Sequence, residues 1–159
     1  MSQRAKDLAQ QLETLNKEVI AFVDSCSDEN WHKVCNWEDW TVGVTARHVG
    51  SGHYKAIGLA KMIINGEKLP DITAEQINEG GNQHARKHAD CTKDEVLKVL
   101  QKNGADTADF IAGLSDDELD RKGHLAVAGG EITTQQFIEY VILKDSIKHL
   151  ANMKTAIGI

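Results

Sequence analysis

"YVILKDSIKHLANM", residues 140–153, carries apolar residues at helical intervals and, one turn apart, an aspartate and a histidine, Asp145 and His149. On a helical wheel of about 100° per residue both fall on the side of Ile138, Val141 and Ile142, so they continue an apolar stripe inward. Lys144 and Lys148 fall to one side of that stripe. A helix with this face is buried along its length, and it reads as the last long helix of an all-α domain. Burying a carboxylate and an imidazole is costly unless something pairs with them, be it a metal ion, a hydrogen-bond partner or water. Side chains four residues apart on a helix stand about 5–6 Å apart at Cβ and can converge on one ion.

Working outward from that helix, Thr133 and Gln136 form the capping box that starts it. Leu8, Leu12, Leu15, Val19, Ile20 and Val23 recur at three- and four-residue steps and predict a first amphipathic helix of roughly 20 residues, ending near Cys26. The stretch "SDENWHKVCNWEDW" is irregular, with Ser27 capping a short turn and Trp31, Trp37 and Trp40 expected to pack it. Thr41 then caps a second helix running to about Ile64, which Asn65-Gly66 and Pro70 stop. Thr73 with Gln76 opens a third helix to about Ala89. Thr92 with Glu95 opens a fourth, carried by Val96, Leu97, Leu100, Ala108 and Ile111 despite Gly104. Ser115 and Glu118 cap a further turn, and the glycine-broken "KGHLAVAGGEIT" is expected to pass the mouth of a cleft. The sum is a single domain over residues 1–159, a four-helix bundle with additional short helical turns.

Composition agrees with that class and narrows the function. The chain has 159 residues, 41% of them hydrophobic, with one proline, which suits one all-α core rather than a sandwich or barrel. A formal charge of -6 and the lack of a Lys/Arg-rich stripe exclude a phosphate-binding face, so no nucleic-acid partner is expected. The N-terminal "MSQRAKDLAQQLETL" has no signal-peptide character and no run of about 18 apolar residues occurs, so a cytoplasmic protein with no membrane partner is expected. Cys26, Cys35 and Cys91 are odd in number and form no CxxC pair, which supports neither a disulfide framework nor a thiolate zinc site. No Ser-His-Asp order, P-loop or GxGxxG is present.

A metal needs a third ligand. In "TVGVTARHVGSGHYKAIGLA", residues 41–60, His48 lies in line with Gly52, Ala56, Leu59 and Ile63, a stripe whose small residues let another helix approach. With the last helix beside the second, His48, Asp145 and His149 make a two-histidine, one-carboxylate set with open coordination positions. The spacing alone leaves other readings open: His48 bonded to a backbone carbonyl, or Asp145 and His149 paired without metal or lying at the surface near a frayed helix end. His53, Tyr54, Asn78 and Asn82 are candidates for lining a pocket. His53, five residues from His48, points well away from it on an ideal helix and is not expected to ligate. "HARKH" sets His84 and His88 in the same i, i+4 geometry, on a helix with few large apolar residues, where they are read as half exposed and able to capture nickel adventitiously.

The order and spacing of "WTVGVTARHVGSGHY", "INEGGNQHARKHADCTKDEVLKVL" and "GLSDDELD", followed by a final helix with a ligand pair at i and i+4, resembles the DinB and YfiT-like superfamily, to which the mycothiol-dependent maleylpyruvate isomerase N-terminal domain is related. The resemblance spans nearly the whole chain. It implies a four-helix bundle holding a divalent metal, usually zinc or nickel, through His48, Asp145 and His149. Many members have histidine where this chain has Asp145, while the maleylpyruvate isomerase relatives carry a carboxylate there, which admits iron or manganese as well. The expected function is a metal-dependent enzyme, a hydrolase or a thiol-dependent transferase, acting on a small molecule by thiol transfer, hydrolysis or isomerisation. A low-molecular-weight thiol is the expected co-substrate. The alternative is a non-catalytic, stress-related or ligand-binding dimer with a structural metal or none. For that, Leu143, Ile147 and Leu150 form a second apolar strip on the last helix, open to a partner or to the chain's own first helix.

Overall fold

Each helix start foreseen from a hydroxyl or a capping box is present in the computed structural model, which describes residues 1–37 and 39–159. Helix α1 (Gln3–Ser25) begins at Ser2, whose hydroxyl accepts from the Ala5 amide. It buries Leu8, Leu12, Leu15, Val19 and Val23 along one face. After α2 (Asp28–Trp31), capped by Ser27, the chain turns into α3 (Val42–His48), capped by Thr41. A π-helical turn over Val49–His53 and a 3₁₀ turn over Tyr54–Ala56 lead directly into α4 (Ile57–Ile64), so residues 42–64 form one helix with an irregular middle. Gly66, at φ 70°, makes the expected turn out of it.

Helix α5 (Ala74–Lys87) and α6 (Lys93–Ala112) both open with complete capping boxes, Thr73 with Gln76 and Thr92 with Glu95. So does α7 (Asp116–Asp120), through Ser115 and Glu118. The last helix starts as α8 (Thr134–Phe137) on the Thr133–Gln136 box. It widens into a second π segment, Ile138–Lys144, and finishes as α9 (Asp145–Ala156). The four long members of the bundle are α1, residues 42–64, α6 and residues 134–156; α5 packs against α3 as an addition.

The glycine-broken stretch expected to pass the mouth of a cleft folds as an antiparallel hairpin of β1 (Lys122–Leu125) and β2 (Gly130–Thr133), in register Lys122 to Thr133. Gly129 and Gly130 turn it at φ 85° and 140°. It packs on α4, where a Cβ at Gly123 would stand 3.0 Å from Ile63, and its residues are not among those lining the cavity described below. Two four-residue strands are too short to set up an alternation that stands out in sequence.

The core is tied together by one buried polar chain. Tyr54 Oη donates to Asn16 Oδ1 at 2.9 Å, and Asn16 Nδ2 donates to the Leu100 carbonyl at 3.0 Å. Gly104 makes room for this, since a Cβ there would run into the Asn16 amide. That close approach explains a glycine in the middle of α6, where helix propensity alone disfavours it.

Candidate metal centre

Three imidazoles converge where residues 42–64 and 134–156 face each other. One ring nitrogen each from His48, His53 and His149 lie within 4.8 Å of one another. His48 ends α3 and His149 stands on α9, both as expected from the sequence. His53 is the unexpected member. Its arrival follows from the π turn, in which the Tyr54 amide bonds the Val49 carbonyl five residues back. In such a turn residues i and i+5 come round toward the same side, whereas five steps of an ideal α-helix leave them about 140° apart. The His48 and His53 ring centroids are accordingly 4.8 Å apart. The signal that could have revealed this was the pair Gly50 and Gly52 beside a histidine, which permits but does not specify a widened turn.

The rings are oriented by their surroundings. His53 Nδ1 is 2.8 Å from the Val141 carbonyl in the second π segment; a carbonyl only accepts, so Nδ1 carries the proton and Nε2 presents its lone pair. That lone pair faces His149 Nε2 at 3.0 Å. Two nitrogens on a tetrahedral zinc at about 2.0–2.1 Å stand roughly 3.3 Å apart, so this separation suits two ligands of one ion. The outward hydrogen bond from Nδ1 is the support that metal-ligating histidines ordinarily have. His48 sits edge-on to Trp40 at 4.9 Å, and a Cβ at Gly52 would stand 2.8 Å from the His48 ring. Gly52 therefore serves the His48 side chain rather than only the approach of a neighbouring helix.

Burial depresses the basicity of all three. The His48 imidazole is pushed down to about 2, first by desolvation and then by its histidine neighbours. His149 is lowered to about 4 by desolvation, with His53 and Lys148 adding to it. His53 is lowered by desolvation, against which its Val141 bond and the charge of Asp145 work. The triad is thus neutral at pH 7, the form in which imidazole binds a metal.

Above the rings opens a cavity of about 630 Å³ lined by Trp37, Trp40, Ile77, Asn78, Asn82, Asp145 and Lys148 together with the histidines. Asp145 lies in this wall at an exposed position, close enough to act on the charge of His53 and outside the three-nitrogen cluster. Trp40, expected only to pack its loop, forms a wall of the site: its Nε1 donates to Asn82 Oδ1 at 3.2 Å, and Gly81 admits its ring. Trp37 is 62% exposed at the mouth, with Lys148 Nζ 3.9 Å from its ring centroid. Tyr54, a candidate for the lining, is fully buried in the core instead. Leu143 and Leu150 of the second apolar strip are 4% exposed and covered by the chain itself, leaving Ile147 at 55%.

The His84 and His88 rings lie 4.8 Å apart at their centroids, tilted by 44°. His84 Nε2 accepts from Arg47 Nη1 at 2.8 Å, which occupies that nitrogen and places a cation beside it. Burial and Arg47 lower the His84 imidazole to about 4. The His84 ring stands 5.6 Å from that of His48, and neither His84 nor His88 belongs to the three-histidine cluster.

Residues 11–153 match the sequence profile of the DinB superfamily. Among solved structures, the chain is similar to YfiT from Bacillus subtilis, described as a probable metal-dependent hydrolase with an unusual four-helix bundle topology, at 18% identity and a TM-score of 0.79, covering 98% of this chain and 87% of that one. At that identity the likeness is one of fold. No curated protein matches, and no described helix is long and apolar enough to cross a membrane.

Proposed function

The chain belongs to the DinB superfamily, and on that footing we propose that it is a divalent-metal-dependent enzyme acting on a small molecule by hydrolysis or by transfer to a thiol. The observation that carries the reading is the neutral, pre-oriented cluster of His48, His53 and His149 opening into a roomy cavity. A structural metal site is closed by its ligands, whereas an open position beside a cavity is the arrangement of catalysis. Three imidazoles suit zinc, nickel or iron better than magnesium or calcium.

When bound, the cation supplies charge that lowers the pKa of a water or a thiol and so makes a nucleophile available at neutral pH. The protein residues do the rest. His53, fixed through Val141, and His149 hold two ligand nitrogens at a preset spacing. Asp145, expected from the sequence as the third ligand, is proposed here as the carboxylate that accepts the nucleophile's proton at the cavity wall, or that adds a further oxygen to the coordination. Trp37 and Trp40 offer apolar surface for the body of the substrate, and Lys148 attracts its anionic part.

The test is metal content by elemental mass spectrometry on untagged protein, followed by ester, amide and thiol-transfer assays on zinc-, nickel-, iron- and manganese-loaded samples. About one ion per chain in wild type and its loss in His149→Ala support the reading. Failure to bind any of these ions, or full activity of the metal-free chain, removes it.

A further inference from the structure

His53 reaches the site only because the helix is wound one residue wide over Val49–His53, and the main chain does not hold that register unaided. At the start of the irregular stretch the Tyr54 amide bonds the Val49 carbonyl, five residues back; at its end the Ile57 amide bonds the Tyr54 carbonyl, three back. Between these bonds stand four carbonyls, those of Gly50, Ser51, Gly52 and His53, and two amides, those of Lys55 and Ala56. A passage from π to 3₁₀ winding leaves carbonyls in excess, and buried ones need donors from elsewhere.

Helix α6 brings a donor to one of them and a second tie beyond them. Asn103 Nδ2 donates to the Gly50 carbonyl at 3.0 Å, and Thr107 Oγ1 donates to the Tyr54 carbonyl at 3.0 Å, in addition to the Ile57 amide. The two side chains are four residues apart on one face of α6, so they grip the irregular segment at its two ends. The approach depends on Gly50, where a Cβ would meet Val99 at 2.9 Å. Tyr54 is anchored a second time by its hydroxyl on Asn16, which itself bonds the Leu100 carbonyl of α6.

We propose that Asn103 and Thr107 are positioning residues of the metal centre, holding the π register that aims His53 at His48 and His149. Neither lines the cavity, so neither touches metal or substrate. Without their donors the segment relaxes toward ordinary α winding, and His53 turns away from the other two rings. The inference rests on the proposed function only in taking the three histidines as ligands.

Cobalt(II) binding to the full chain, followed by calorimetry and by the visible absorption of the bound ion, tests it alongside thermal melting. Asn103→Ala and Thr107→Val are expected to weaken binding about 10- to 100-fold, as loss of an outer support does, while Thr107→Ser, which keeps the hydroxyl, binds as wild type. In a His53→Ala background, Asn103→Ala is expected to change nothing further. If Asn103→Ala does not fold, Asn103→Asp, of the same shape but without the donor, carries the comparison. Lower melting temperatures with wild-type cobalt affinity and spectrum would make these residues merely structural and overturn the inference. Wild-type binding by both His53→Ala and His149→Ala would remove the ligand set itself, a separate failure.

Discussion

His53 Nε2 and His149 Nε2 stand 3.0 Å apart although 96 residues separate them in the chain. Two ring nitrogens that close on a buried site must share either one proton or one cation. Since the Val141 carbonyl holds the His53 proton on Nδ1, His149 donates to His53 in the metal-free protein, and a cation replaces that proton when bound.

The ligand set is tested by substitution. His53→Ala is expected to lose the metal as fully as His149→Ala, at least 10- to 100-fold in affinity. The His84→Ala/His88→Ala double variant keeps it, and Asp145→Asn keeps most of the affinity while losing turnover. Titration with zinc or cobalt and elemental analysis decide; retention of metal by His53→Ala together with its loss from Asp145→Asn would restore the carboxylate as the third ligand.

Two glycines in the same helix make a matched pair. A methyl group placed on Gly58 has nothing within 4 Å, whereas one on Gly52 meets the His48 ring at 2.8 Å. Gly58→Ala is expected to stabilise the fold by about 0.5–1 kcal/mol through helix propensity. Gly52→Ala gains similarly in propensity but displaces His48, so metal affinity falls without a matching loss in melting temperature. Equal metal binding by the two variants would contradict this account of Gly52.

The pH dependence of the metal-free fold has a definite sign. His48 and His149 have folded-state values near 2 and 4, below the ordinary 6.5, so the unfolded chain takes up more protons than the folded one in this range. Their contribution to stability is complete above about pH 6.5 and declines as pH falls toward 4. Urea unfolding at pH 7.5, 6.5, 5.5 and 5, under conditions chosen with the carboxylates still largely ionised, should show falling stability, and His149→Gln should show a shallower fall. A flat profile in wild type would contradict the burial of these imidazoles.

Tyr54→Phe removes the hydroxyl that satisfies Asn16 Oδ1 inside the core. The expected cost is about 1–3 kcal/mol, which for a chain of this size lowers Tm by roughly 2–4 °C per kcal/mol. Differential scanning calorimetry reads it directly, and an unchanged Tm would mean that the hydrogen bond contributes nothing net.

Much of the architecture was legible because it is encoded locally. A threonine or serine followed three residues on by Glu or Gln satisfies helix-end amides wherever it falls, and the boxes at Thr73, Thr92, Ser115 and Thr133 each start a helix. The apolar spacing of α1 and α6 likewise specifies which faces are buried, and the inward placement of His48 and His149 follows from the same periodicity. Those are properties of short stretches of chain.

What the tertiary structure alone decided is the winding between them. Whether residues 49–53 close their bonds four or five residues back is a small difference within the segment, and donors from Asn103 and Thr107, some fifty residues later, bear on it. That single step of register carries His53 into the centre, while Asp145, on the stripe the wheel assigned to the interior, comes to the cavity wall at an exposed position beyond the second π segment. A wheel of constant pitch cannot represent a helix whose pitch is set by its neighbours.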